Sequence, residues 1–185
     1  MVTDNLNKKY LLVGLTGTGK THTALQLAIK RKKRLIVVDE DNNPAYLKLP
    51  SVPLENVPQY SQENSFRIIT PDVPKALNYL DMYHANAFII MEDCGKYLSA
   101  NIDNDTNRFL KNHRHRNFDV ALMFHYLNEV PPRVCNMHDF LLLFKTGEDE
   151  KRSLTKFGNW HVIKQALQQV AAAKDYHKYL IIPKA

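Results

Sequence analysis

Short unbroken apolar runs alternate along this chain with stretches of helical periodicity, and the alternation predicts most of the architecture. Runs of strand length fall at 10–13, 35–38, 87–91, 120–124, 140–144 and 179–182, and helical patterns fall at 21–30, 74–83, 105–112 and 159–173. The strands are continuously apolar, so the sheet they form must be covered on both faces. The expectation is an α/β three-layer sandwich with a mainly parallel central sheet, which binds ligands at the carboxyl ends of its strands. Residues 42–64 carry Pro44, Pro50, Pro53 and Pro58 with little periodicity, and read as a long surface loop or a small irregular insertion. No repeat or linker divides the chain, so residues 1–185 are expected to form one domain. In the last helical pattern Trp160, His161, Val162, Ile163, Leu167 and Val170 are expected to pack against the core.

Directly after the first apolar run the chain reads Gly14-Leu15-Thr16-Gly17-Thr18-Gly19-Lys20-Thr21, the spacing G-x-x-x-x-G-K-T. Glycines at this spacing let the backbone curl so that successive N–H groups face inward, and the following helix adds its positive end. Such a loop cradles the β- and γ-phosphates of a nucleotide. Lys20 neutralises their charge and Thr21 places a hydroxyl on magnesium, with Gly14, Thr16, Gly17, Thr18 and Gly19 shaping the cradle. The position between a predicted strand and a predicted helix is the context this motif requires. ATP with Mg2+ is the expected ligand pair, since no guanine-reading Asn-Lys-x-Asp motif is present.

A nucleoside triphosphatase also needs an acid at the end of a neighbouring strand, usually beside a second carboxylate that activates water. Two apolar runs end in acids, one at Asp39-Glu40 and one at Glu92-Asp93. The strand carrying Asp39 follows the first helix directly, and in βαβ winding that strand is often one removed from the phosphate site. Glu92 and Asp93 are therefore preferred as metal ligand and catalytic base, in either order. Asp39 reads instead as a solvated strand end capping the turn that follows.

The run 120–124 ends at His125, a polar tip able to sense the γ-phosphate or simply a histidine at a sheet edge. Arginines lie just before it, at Arg114 and Arg116. Such a residue can reach a neighbouring subunit's phosphates, or belong to a solvated basic turn.

Composition narrows the class further. The 185 residues are 44% hydrophobic and 24% charged, with a net charge of +6, which suits a globular domain and favours polyanionic partners. Cys94 and Cys135 fall on different predicted elements and suggest neither a disulfide framework nor a metal site, which points to a reducing compartment. No apolar run reaches the roughly 18 residues of a membrane span. Lys30-Arg31-Lys32-Lys33-Arg34, and Lys111 with Arg114 and Arg116, are two clusters able to track nucleic-acid phosphates.

With the loop, the acid pair and an arginine-strand-polar tip in this order, the chain resembles the FtsK–HerA superfamily of P-loop ATPases, whose domains are RecA-like, and viral genome-packaging ATPases above all. The likeness spans residues 11–144. A translocase pattern of Arg, two residues, Gly and an apolar strand ending in Gln falls on Arg114, with Asn117 at the glycine and His125 at the glutamine. The resemblance implies that Arg114 acts in trans and that His125 is the sensor. It also implies a DNA translocase working as a ring, typically of six subunits, on double- or single-stranded DNA. The chain is similar as well to phage assembly ATPases of the zonular occludens toxin type, through Arg114-His115 and Asp119. Those proteins usually carry a membrane span after the ATPase domain, and this sequence ends at Ala185 without one, so packaging is preferred. A capsid or membrane assembly partner, and a place in the host cytoplasm or the virion, follow from these resemblances. The family usually shows Asp then Glu, so Glu92-Asp93 reverses its order, and His125 exchanges an amide for a titratable ring. A small-molecule kinase, with a lid concealed in 42–64, is the remaining alternative. Residues 97–105 are one candidate for the loop facing a ring's pore.

Overall fold

A computed structural model describes residues 6–98, 101–147 and 155–184. Seven strands are present: β1 (Lys9–Val13), β2 (Arg34–Asp39), β3 (Phe66–Ile69), β4 (Ala87–Met91), β5 (Phe118–Phe124), β6 (Phe140–Leu143) and β7 (Leu180–Pro183). They form one sheet in the order β3-β2-β4-β5-β1-β6-β7, parallel throughout except for β7, which runs antiparallel to β6. The helices are α1 (Lys20–Arg31), α2 (Val73–Tyr83), α3 (Asn104–Asn112), the single turn α4 (Pro132–Cys135) and α5 (Trp160–Ala172).

Strand alternation sorts the core into two layers. Leu11, Val13, Ile36, Val38, Ile89, Met91, Val120 and Leu122 face one way, onto Leu77 and Leu80 of α2, Phe109 and Leu110 of α3, and Ile163 and Leu167 of α5. Tyr10, Leu12, Val37, Phe88, Ile90, Ala121 and Met123 face the other way, onto Ala24 and Ala28 of α1. Continuous apolar strands thus serve two helical layers, as a three-layer sandwich requires. The small alanines of α1 let that helix approach the sheet closely, which fixes the loop before it.

Several sequence expectations need correction. Strand β3 was not anticipated, because Arg67 interrupts its short apolar run; the guanidinium is buried and donates to Asn42 Oδ1 at 2.8 Å. Of the two readings of residues 42–64, the irregular insertion holds and the surface loop does not. These residues contain 3-10 turns at Pro44–Tyr46 and Leu54–Gln59, and Tyr46, Val52 and Val57 are buried. His161 and Val162 of α5 face solvent instead of packing inward. Among the described residues no helix is long and apolar enough to cross a membrane. Residues 99–100 of the candidate pore loop lie outside the described residues.

Candidate active site

The sequence 14–21 turns from β1 into α1 in a shape that only its glycines permit. Gly14 N–H donates to the Phe124 carbonyl at 3.1 Å, and a Cβ on Gly14 would stand 2.5 Å from Phe144 Cβ, so a side chain there would force two strands apart. Gly17 and Gly19 have φ of 80° and 95°, a region L side chains rarely enter. Leu15 N–H donates to the Lys145 carbonyl at 2.9 Å, and the Thr18 hydroxyl returns to Leu15 O at 2.7 Å. Thr18 is fully buried and braces the loop from within, while Thr16 and Gly17 are exposed at its outer face. Helix α1 begins at Lys20 with no side chain capping it, which leaves its first N–H groups directed at whatever the loop encloses.

Lys20 Nζ donates to the carbonyls of Gly14 and Leu15 at 2.6 and 3.1 Å. Burial lowers its pKa, opposed by the charges of Glu92, Asp93 and Glu129. Thr21 Oγ1 donates to Glu92 Oε1 at 3.1 Å, joining the loop to the tip of β4. The Tyr46 hydroxyl donates to the same oxygen from within the 42–64 insertion. Burial raises the pKa of Glu92, as does the neighbouring Asp93, while the bonds from Tyr46 and Thr21 and the charge of Lys20 oppose the rise. Thr21 and Glu92 together present hard oxygen donors of the kind magnesium takes. Among the described residues no group of three or more His, Cys, Asp and Glu could hold a metal ion, so a cation here would complete its shell with phosphate oxygens and water.

Beside Glu92 the backbone bends sharply. Asp93 has φ 44° and ψ 45°, a left-handed conformation that costs a non-glycine residue of order 1 kcal/mol or more. The bend turns its carboxylate toward His125, whose Nε2 lies 3.0 Å from Asp93 Oδ1. His125 itself is held by Glu129, whose Oε2 accepts its N–H and that of Tyr126, each at 3.2 Å. The same carboxylate packs over Gly95, where a Cβ would meet it at 2.9 Å. Thr16, Gly17, Gly19, Lys20, Thr21, Asn43, Glu92, Asp93 and His125 border one cleft of about 300 Å³.

The sheet order corrects one expectation about this arrangement. The acid strand β4 does not neighbour β1; β5 lies between them, and its tip at His125 borders the same cleft as the loop and the acids. Asp39 is not a solvated cap. It is 1% exposed and accepts the N–H groups of Asp41 and Asn43 at 3.2 and 2.6 Å, which orders the turn carrying Asn43 into the cleft. Asn43, Tyr46 and Glu129 were not foreseen as parts of the site; Tyr46 and Glu92 are 46 positions apart, and no local pattern announces their contact.

Arg114 lies at the other end of the sheet, before β5, and cannot reach its own chain's loop. Its guanidinium is 53% exposed and pairs with Asp139 at 3.2 Å. It borders a second cleft, of about 350 Å³, with Lys9, Lys111, His113, His138 and Lys184. Asn117, at the position the resemblance gives to glycine, has φ 56°, which asparagine tolerates better than most residues. The basic run 30–34 is largely committed to structure. Arg31 and Lys33 both reach Asp119 Oδ2 at 3.0 Å, and Asp119 is fully buried in β5. Arg34 ties the insertion to α2 through Gln62 and His84. Lys30 and Lys32 remain exposed.

Comparison with solved structures places this fold among P-loop NTPases. The genome packaging NTPase B204 of Sulfolobus turreted icosahedral virus 2, in complex with ATP-gammaS, is similar over 98% of this chain and 94% of its own, with a TM-score of 0.77 and 16% identity. VirB4 of Thermoanaerobacter pseudethanolicus is similar over 97% of this chain and 89% of its own, with a TM-score of 0.60 and 9% identity. No curated protein matches the sequence. The family model for zonular occludens toxin (Zot) matches residues 9–145, from the first strand past the end of β6, and the chain belongs to the zonular occludens toxin family.

Proposed function

We propose that this chain is an ATP-hydrolysing DNA translocase of the genome-packaging kind, a single ATPase domain that works in a ring of six. The observation that carries the reading is the junction of the phosphate loop with two acids, Thr21 to Glu92 and Glu92 beside Asp93, closed by His125. In this reading the phosphates of ATP lie along residues 16–21. The free N–H groups of the loop and α1 hold their oxygens, and Lys20 exchanges its carbonyl partners for them. Magnesium, when bound, neutralises charge on the phosphate oxygens. The Thr21–Glu92 contact supports these two as its holders, with Asp93 close by. The contact with His125 supports Asp93 as the group that orients and deprotonates the attacking water, with the ring keeping that carboxylate aimed. Gly14 and the Thr18 side chain shape the loop from within, and Thr16, Gly17 and Gly19 complete the cradle. Arg114, remote from its own loop and exposed, is suited to a neighbouring subunit's phosphate. DNA would then be held by backbone contacts in the ring's pore, with Lys30 and Lys32 as available cations.

The test is hydrolysis by the purified chain with and without double-stranded DNA, over a range of protein and salt concentrations, with Lys20→Ala as the blank. Turnover that rises with DNA and climbs steeply with protein concentration is expected. Lys20-dependent turnover indifferent to both sinks the translocase.

A second reading has its own observation, the family membership itself. It makes the chain a phage assembly or secretion ATPase that acts through a separate membrane partner, and a membrane-spanning protein that co-purifies and raises turnover would favour it. The kinase alternative gains no support, since residues 42–64 contain no arginine and are tied down through Tyr46, Val52 and Val57.

A further inference from the structure

The order of the sheet gives the phosphate loop a direction. Glu92, Asp93 and His125 stand at the tips of β4 and β5, on one side of β1. A terminal phosphate that faces them leaves the nucleoside to pass off the loop on the other side, toward β6 and over the first turns of α1. The residues found there take no part in the phosphate site. They come from the chain that leads into β7, which turns back over the loop. Tyr179 packs on Phe144 with ring centroids 4.9 Å apart, and Lys145 Nζ lies 5.7 Å from the centre of the Tyr176 ring. His177 Nδ1 lies 3.5 Å from where a Cβ on Gly19 would stand. Tyr179 and the flank of α1 at His22, Gln26 and Lys30 enclose a cleft of about 330 Å³ that starts one residue past Thr21. Tyr176 and Tyr179 keep 42% and 37% of their surface exposed, although both are anchored by neighbouring side chains.

We infer that residues 175–179 and the first turns of α1 form the nucleoside subsite, with a purine base resting on the rings of Tyr179 and His177. This rests on the phosphate-loop reading above and adds to it a place for the other end of the ligand. Planar side chains offer a π-face, which favours a flat base without reading its edge closely. His22 and Gln26 supply polar groups at the rim. The subsite therefore ties nucleotide occupancy to the C-terminal strand: the segment that packs on the base also feeds β7, the antiparallel edge of the sheet.

Two measurements test this on the full chain. Photolabelling with 8-azido-ATP followed by peptide mapping should mark residues 175–179; a label confined to other segments overturns the placement. Binding of ATP and of inorganic tripolyphosphate is then compared across variants. Tyr179→Ala and His177→Ala should weaken ATP about tenfold and leave tripolyphosphate within about twofold, and Tyr179→Phe should retain ATP binding. Equal weakening of both ligands, or unchanged ATP affinity, overturns the inference. Lys20→Ala separates it from the reading beneath it. Tripolyphosphate binding that survives this change removes the phosphate site itself, whereas Lys20-dependent binding that ignores Tyr179 and His177 removes only the nucleoside placement.

Discussion

His125 Nε2 lies 3.0 Å from Asp93 Oδ1, a contact that joins the tips of two adjacent strands, β5 and β4, in the cleft beside Glu92. Asp93 reaches it from a left-handed backbone, so the site holds strain where chemistry is proposed. Asp93→Gly should therefore leave stability within about 1 kcal/mol of wild type, the relieved strain offsetting the greater freedom of the unfolded chain, while lowering turnover by about 10² or more. His125→Gln should retain nucleotide binding and lose less turnover than His125→Ala. Urea unfolding and single-turnover hydrolysis, measured on the same preparations, check the two halves.

Tyr46 donates to a carboxylate that burial already disfavours in its charged form. Tyr46→Phe should cost about 1–3 kcal/mol of stability, the usual range for leaving a buried acceptor short of a partner. It should also raise the pKa of Glu92 further. Magnesium-dependent ATP affinity should then fall more at pH 6 than at pH 8, because the ionised acid is the form that holds the cation. Titrations of wild type and variant at the two pH values decide this.

Arg114 is the one proposed catalytic group at the far end of the sheet from the loop. Arg114→Ala should bind nucleotide normally and lose turnover by about 10³, the scale of an arginine supplied in trans. Lys20→Ala should lose both. Mixing the two inactive variants should restore part of the activity, since some interfaces would then pair an intact loop with an intact arginine. Mixtures no more active than their components would place Arg114 outside the reaction.

His113 sets a pH limit on the fold itself. Its ring is 2% exposed, and burial first, then the charges of Lys9 and Arg114, hold its pKa down to about 4, against the opposing Asp139 and the Leu110 carbonyl. Between about 4 and the ordinary 6.5 the native state binds fewer protons than the unfolded chain. Stability is therefore lost as pH falls through that window, by on the order of 3 kcal/mol in all. His138, also lowered by burial, acts in the same direction. Urea midpoints at pH 7.5 and pH 5 should differ clearly in wild type and much less in His113→Gln.

How much of this was legible in the sequence depended on the range of the interactions. Strand β4 was placed at its true bounds and β1, β2 and β6 to within a residue, because a buried parallel strand is written as an uninterrupted apolar run. The loop 14–21 was legible because its constraints are local: a Cβ has no room at Gly14, and positive φ is needed at Gly17 and Gly19. Glu92 and Asp93 border the cleft with the loop whereas Asp39 is buried behind it, and the strand order sets β5 between β1 and the acid-bearing β4, a separation that no single segment of the sequence encodes. What escaped was assembled from distant parts. Tyr46 arrives from a proline-rich stretch with no pattern, Glu129 acts on backbone groups a turn away, and β3 hides behind the charge of Arg67. The basic run 30–34 misled in the opposite sense, since composition alone does not show that Asp119 consumes two of its cations.

That buried aspartate also has a mechanical meaning. Arg31 ends α1, Lys33 precedes β2, and Asp119 opens β5, so one ionic knot fastens the tail of the helix to the root of the neighbouring strand. Breaking such a knot from one side strands a charge in the interior, at a cost of about 3–5 kcal/mol, which makes this end of the pair stiff. The opposite ends face the cleft: the head of α1 with Lys20 and Thr21, and the tip of β5 with His125. Anchored at its tail, α1 is held to β5 at the end of the sheet away from the cleft, and the phosphate loop has only the head of the helix left to place.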